Sequence, residues 1–239
     1  MGVTRKASTK IFIKSRINVL TKTSIYGIIK LVGTNLIIPY FFEIRLVLTN
    51  HKGVFQMLEK IIARSCAPAL AGIKPSNIVS CRKSVIPDVY CKIERLNKEL
   101  NPQDIYLEIV CDCPKCALVM VYRKNILKRH LNSKSNRKFL MYYGYPDSDN
   151  TDEYIAILKN RLKNNAFPHE IGVFLGYPLS DIYSFINHRN EGCLLVGEWK
   201  VYHNPEAAAK LFHRFKACRK ALAKRVYGGQ TLAQVFCAV

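Results

Sequence analysis

A chain of 239 residues, 49% of them hydrophobic, is long enough to bury a substantial core and too apolar for wholesale disorder. Its 37 Lys and Arg against 17 Asp and Glu leave a formal charge of +20, which predicts attraction to nucleic acid, anionic lipid or acidic protein and is silent about fold. Nine cysteines, an odd number, without a clear secretory signal argue against a disulfide framework and for reduced thiols in the cytoplasm.

The charge is uneven. Residues 1–56 hold nine Lys or Arg and one acid, Glu43, in a stretch rich in Ile, Leu, Lys and Asn that keeps neither a strand nor a helix period. A membrane span over residues 25–42 would contain Lys30, Asn35 and Pro39 and falls short of the roughly 20 apolar residues a span needs. A transit segment would be basic and poor in acids, but the long apolar run fits it badly. The favoured reading is upstream sequence translated from an early start, with ordered amphipathic sequence opening at Met57. Residues 1–56 are therefore expected outside the core, residues 57–239 as one domain, and membrane contact only if 25–42 is native.

From Met57 the elements alternate. Leu58–Arg64 suits a short helix, limited by Pro68 and Pro75. Asp88 has the chemistry of an N-cap for VYCKIERLNKEL, where Val89, Ile93, Leu96 and Leu100 recur at helical spacing. IYLEIV and ALVMVYR flank CDCPKC and predict a hairpin. Asn125–Leu131 reads as a short helix, and FLMYYGYP as an extended segment ending at Gly144 and Pro146. The next helix places Tyr154, Ile155, Leu158 and Leu162 on one face. DIYSFI reads as helix, CLLVGEWKVY as strand, and a long helix runs from Pro205 to Gly228-Gly229 before a last short one, TLAQVF. The sum is a mixed α+β domain with a small antiparallel sheet.

The motif FPHEIGVFLGYP, residues 167–178, carries the most chemistry. With Pro168 at a helix start, His169 and Glu170 fall in the first turn, where exposed N–H groups favour a carboxylate and a neutral imidazole. That is the state a general base requires, although Glu170 complementing the helix dipole accounts for the same residues. The segment lacks the second histidine of a zinc-binding HExxH, since position 173 is Val. Gly172 and Gly176 leave one strip of the helix bare for a close neighbour. Residues 169–189 also have the outline of a DNA-binding helix-turn-helix, with Ser180, Tyr183, Ser184, Asn187, His188 and Arg189 outward, and with Asp181 ill placed beside phosphate.

Cys111, Cys113 and Cys116 in CDCPKC offer thiolates for zinc or an iron–sulfur cluster, yet no second CxxC supplies a fourth ligand. Cys193 with His169 or His188 could form a nucleophilic pair, though nothing in the sequence brings them together. No phosphate loop, dinucleotide fingerprint or nucleophile elbow occurs, so no cofactor can be named.

The order CAPALAGIKPSN, VYR, GYP, FPHEIGVFLGYPLSDIYSFI and GEWKVY resembles an uncharacterised domain-of-unknown-function family of anaerobic, clostridia-like bacteria, over about residue 57 to the C-terminal end. Relatives more often have ordinary polar residues where this chain has CDCPKC, which weakens a family-wide metal role. The resemblance implies that Lys74, Pro75, Arg123, His169, Glu170, Gly172, Gly176, Tyr177, Trp199, Lys200 and Tyr202 belong to one pattern. Such a set exceeds what a helix start needs. It points to a pocket built from His169, Glu170, Trp199, Lys200 and Tyr202, with Lys74 and Arg123, that takes a phosphate-bearing or carboxylate ligand. His169 and Glu170 are its candidate acid–base pair; nucleic-acid binding through 169–189 and a structural or partner-binding role are the alternatives.

Overall fold

The unbroken apolar run ALVMVY at residues 117–122 is explained by a strand covered on both faces. The computed structural model of the chain describes residues 51–163, 168–189 and 191–237. The membrane or targeting candidate at 25–42 lies outside the described residues, as does the rest of 1–50. Among the described residues no helix is long and apolar enough to cross a membrane.

In chain order the elements are α1 (His51–Leu70), β1 (Ser76–Arg82), α2 (Val89–Leu100), β2 (Ile105–Asp112), β3 (Cys116–Arg123), α3 (Lys124–Leu131), α4 (Lys134–Tyr142), α5 (Thr151–Lys163), α6 (Ile171–Phe174), α7 (Leu179–His188), β4 (Leu195–Val196), β5 (Lys200–Val201), α8 (Pro205–Tyr227) and α9 (Leu232–Phe236). The first three strands form an antiparallel sheet in the order β1-β3-β2, so the molecule is α+β with the small antiparallel sheet expected. Because strand side chains alternate, Ala117, Val119 and Val121 of β3 pack with α1, α2, the end of α8 and α9, while Leu118, Met120 and Tyr122 pack with α3 to α7. Trp199, Val201, Ala208 and Phe215 make a third, smaller cluster between the β4–β5 hairpin and the front of α8.

Several elements match the sequence reading closely. Helix α2 buries Val89, Ile93, Leu96 and Leu100, and α5 buries Tyr154, Ile155, Leu158 and Leu162. Asp88, however, is not a working cap: its backbone is left-handed, with φ 56°, and its side chain makes no cap hydrogen bond. Helix α1 starts six residues before the boundary set at Met57 and runs through Pro68. It absorbs the missing N–H because it ends two residues later, where the Pro68 carbonyl accepts from the amides of Ile73 (2.9 Å) and Lys74 (3.2 Å).

Two expected extended segments are corrected. FLMY is the end of α4, capped by Tyr143; the helix buries Asn136, Phe139 and Leu140 and closes with the Tyr145 amide on the Leu140 carbonyl at 3.1 Å. Its aromatic residues gave a strand-like composition, but their burial follows helical spacing. CLLVGEWKVY is not one strand but two pairs of residues folded back at Gly197, where an added Cβ would lie 2.2 Å from the Phe212 ring.

The approach to the motif region is equally tight. Gly176 has φ +71°, and a Cβ there would stand 2.6 Å from Pro75 Cδ. The Ser76 hydroxyl donates to the Phe174 carbonyl at 2.7 Å beside this contact, and His130 Nε2 reaches the Val173 carbonyl at 2.9 Å from α3. Gly176→Ala is expected to destabilise the domain by about 2–5 kcal/mol, combining left-handed strain with overpacking. Urea unfolding checks this; a variant as stable as the parent would show that Pro75 does not pack there.

Candidate functional site

Asp181, in the first turn of α7, is buried and accepts three hydrogen bonds. Its Oδ2 takes the Trp199 indole N–H at 2.7 Å, and its Oδ1 takes the backbone amides of Tyr202 at 2.9 Å and His203 at 3.0 Å. A carboxylate can be buried at this position because N–H donors replace water around it. Trp199 is thereby held between Tyr177 and Phe212, at 5.1 and 4.7 Å between ring centroids, while the Tyr202 hydroxyl donates to the Arg189 carbonyl. The WKVY segment is thus fastened to α7.

The preceding residue continues the junction. Glu198 receives two hydrogen bonds from the Arg219 guanidinium of α8, at 2.6 and 2.7 Å, and its carbonyl accepts from the Tyr177 hydroxyl at 3.0 Å. Lys74 Nζ lies 4.0 Å from Glu198 Oε2, over the rings of Tyr177 and Phe215 and 4% exposed. Burial pushes the Lys74 amine down to about 8, with Glu198 opposing the shift. Burial alone would raise the Glu198 carboxyl, but the Arg219 hydrogen bonds and the charges of Arg219 and Lys74 hold it below the usual value.

The remaining expected site residues take separate places. Arg123 donates from Nε to the Leu70 carbonyl and from a terminal nitrogen to the Gln103 carbonyl, both at 2.8 Å, and so ties off the end of α1. His169 and Glu170 part company. Glu170 is fully buried, paired with Arg161 and 3.4 Å from the Tyr145 hydroxyl; His169 is exposed, with its ring edge-on to Phe185 at 5.6 Å. The Lys200 ammonium stands over the same Phe185 ring, also at 5.6 Å. Ser184, next along α7, hydrogen-bonds His203 Nε2 at 3.0 Å.

Of the three expected metal ligands, Cys113 and Cys116 meet, with sulfurs 3.1 Å apart, while Cys111 Sγ turns to the Leu162 carbonyl at 3.8 Å. Among the described residues no group of three or more His, Cys, Asp or Glu side chains has the geometry to hold a metal ion. Cys193 lies half-buried against the Leu195 carbonyl. An open cleft of about 490 Å³ is lined by Lys124, Lys128 and residues 148–152, and contains none of the expected site residues. The helix-turn-helix outline keeps its outward residues, but α6 is only four residues long and Asp181 faces inward.

Fold and junction together define an α+β domain in which residues 73–75, 176–178 and 197–202 meet one another. The chain belongs to the family described as "Protein of unknown function (DUF3793)", whose model matches residues 62–236. No curated protein and no solved structure matches it.

The sequence reading missed Asp181 and Arg219 as members of this junction. Asp181 was visible only as an acid in a helix first turn, which a helix dipole explains equally well, and Arg219 was one base among many in α8. Truncating Asp181→Ala would strand three donors and is expected to cost about 3 kcal/mol or more. Fluorescence of Trp199, the single tryptophan, followed through urea unfolding tests this; an unchanged midpoint and emission would remove Asp181 from its role.

Proposed function

We propose that the domain binds an anionic, phosphate- or carboxylate-bearing ligand on the surface formed by His169, Phe185 and Lys200. The observation that carries this reading is the convergence of His169, from the FPHEIG motif, and Lys200, from WKVY, on one partly exposed aromatic ring. An imidazole, an ammonium and an apolar ring face together suit a ligand with an anionic group attached to a flat or apolar body. Trp199 and Tyr202 serve as the frame, since Asp181 holds their segment against α7 and so sets where Lys200 emerges. Lys74 pairs with Glu198, next to Trp199 in the chain, while Arg123 ties off the end of α1 and takes no part in this surface.

A second reading, nucleic-acid binding, is favoured by α8 rather than by residues 169–189. Lys210, Arg214, Lys216, Lys220, Lys224 and Arg225 are all exposed on this helix, and after Glu206 it carries no acid. Over 15 residues this cationic face extends roughly 22 Å, a length suited to several backbone phosphates.

The two readings separate by experiment. Calorimetric titration of nucleotide and sugar phosphates should give binding that weakens at least tenfold in His169→Ala and Lys200→Ala, with thermal midpoints unchanged; equal affinities would overturn the surface site. For the second reading, duplex DNA affinity should fall steeply with salt, and Lys216→Glu with Lys220→Glu should reduce that slope by about 2. Affinity insensitive to salt would remove it.

A further inference from the structure

The turn between β2 and β3 holds a pair of thiols that the proposed function does not use. Cys113 and Cys116 bracket Pro114-Lys115, and the Cys113 amide donates to the Cys116 carbonyl at 3.0 Å, so the two residues stand opposite each other in the last step of the hairpin. Hydrogen-bonded pairs of this kind have Cα atoms about 5.5 Å apart, inside the range of about 4.4–6.8 Å that a disulfide spans without moving the backbone. Their sulfurs are already 3.1 Å apart, and the Cys113 thiol also reaches the Cys116 carbonyl at 3.0 Å. Both side chains are half-buried while Pro114 and Lys115 between them are exposed, so a small reagent can reach the pair from solvent.

The neighbouring thiols are differently placed. Cys111 is buried against the Leu162 carbonyl, and Cys81 is fully buried in the layer under α1. The turn also touches the third strand, because the Lys83 amide, just past β1, donates to the Lys115 carbonyl at 3.0 Å. One bond here would fasten the end of the sheet at which all three strands come together.

We propose that Cys113 and Cys116 form a redox-active dithiol that undergoes thiol–disulfide exchange with small-molecule disulfides. Cys116, its sulfur 3.1 Å from that of Cys113, attacks one sulfur of the reagent as a thiolate, breaks its S–S bond and releases one thiol, leaving a mixed disulfide on Cys116. Cys113 then loses its proton, attacks the Cys116 sulfur and releases the second thiol. The protein gives up two electrons and two protons, and the reagent disulfide is reduced to two thiols.

The test uses glutathione disulfide on the full chain, followed by alkylation, trypsin digestion and mass spectrometry. Trypsin cuts after Lys115, so the product appears as the peptide ending at Lys115 joined to CALVMVYR, and reduction separates the two. The joined pair should form in the parent and persist in Cys111→Ser. In Cys113→Ser it should vanish, with Cys116 instead carrying one glutathione, and circular dichroism should show each variant folded. Absence of the joined pair in the parent at saturating glutathione disulfide would overturn the proposal. So would its survival in Cys113→Ser, which would assign the bond to Cys111 and Cys116.

Discussion

The Asp181 carboxylate is the acceptor on which the arrangement of the C-terminal half depends. Its two oxygens accept from the Trp199 indole N–H and the Tyr202 amide, which would otherwise be buried without partners, and from the part-buried His203 amide. From that single anchor the rest follows in order. Trp199 is placed between Tyr177 and Phe212, Glu198 is delivered to Arg219 and Lys74, and Lys200 emerges on the opposite side over Phe185. Since Arg219 belongs to α8, and α8 packs along α1, the anchor also sets how the long C-terminal helix meets the sheet's outer layer.

Charge is divided by this scaffold into two populations. Glu198 sits between the cations of Lys74 and Arg219, and the buried Glu170 pairs with the part-exposed Arg161. Removing one member of such a group leaves its partner with a desolvation cost that nothing offsets. The cations of α8 other than Arg219 face water, so the positive charge of this helix is expressed outside, where it can act on a ligand.

Much of the architecture was legible because burial wrote itself into period and composition. The runs IYLEIV and ALVMVYR signalled the hairpin, and the stripes of α2 and α5 were each read residue by residue; that ALVMVY is covered on both faces came from the structure. What escaped was set by tertiary partners. α4 looked like a strand because Phe139, Tyr142 and Tyr143 favour sheets, yet Leu140 and Phe139 are buried as a helix presents them. WKVY looked like a strand because only the partners of Trp199 and Glu198, distant in sequence, make Gly197 a corner. His169 and Glu170, adjacent in the chain, were read as one pair, and the turn that carries them sends one outward and one inward. Asp181 looked misplaced on a helix facing phosphate; turned inward, it is the centre of the junction.

Hydrogen exchange at the Tyr202 and His203 amides tests the central claim most directly. Both lie in a short irregular segment next to exposed residues, where an unbonded amide would exchange at close to the rate of an open loop. With Asp181 as their acceptor, the two amides should be protected to nearly the extent of the amides in β3. Fast exchange at both positions in the folded protein would contradict the account, because it would mean that the carboxylate does not hold the segment.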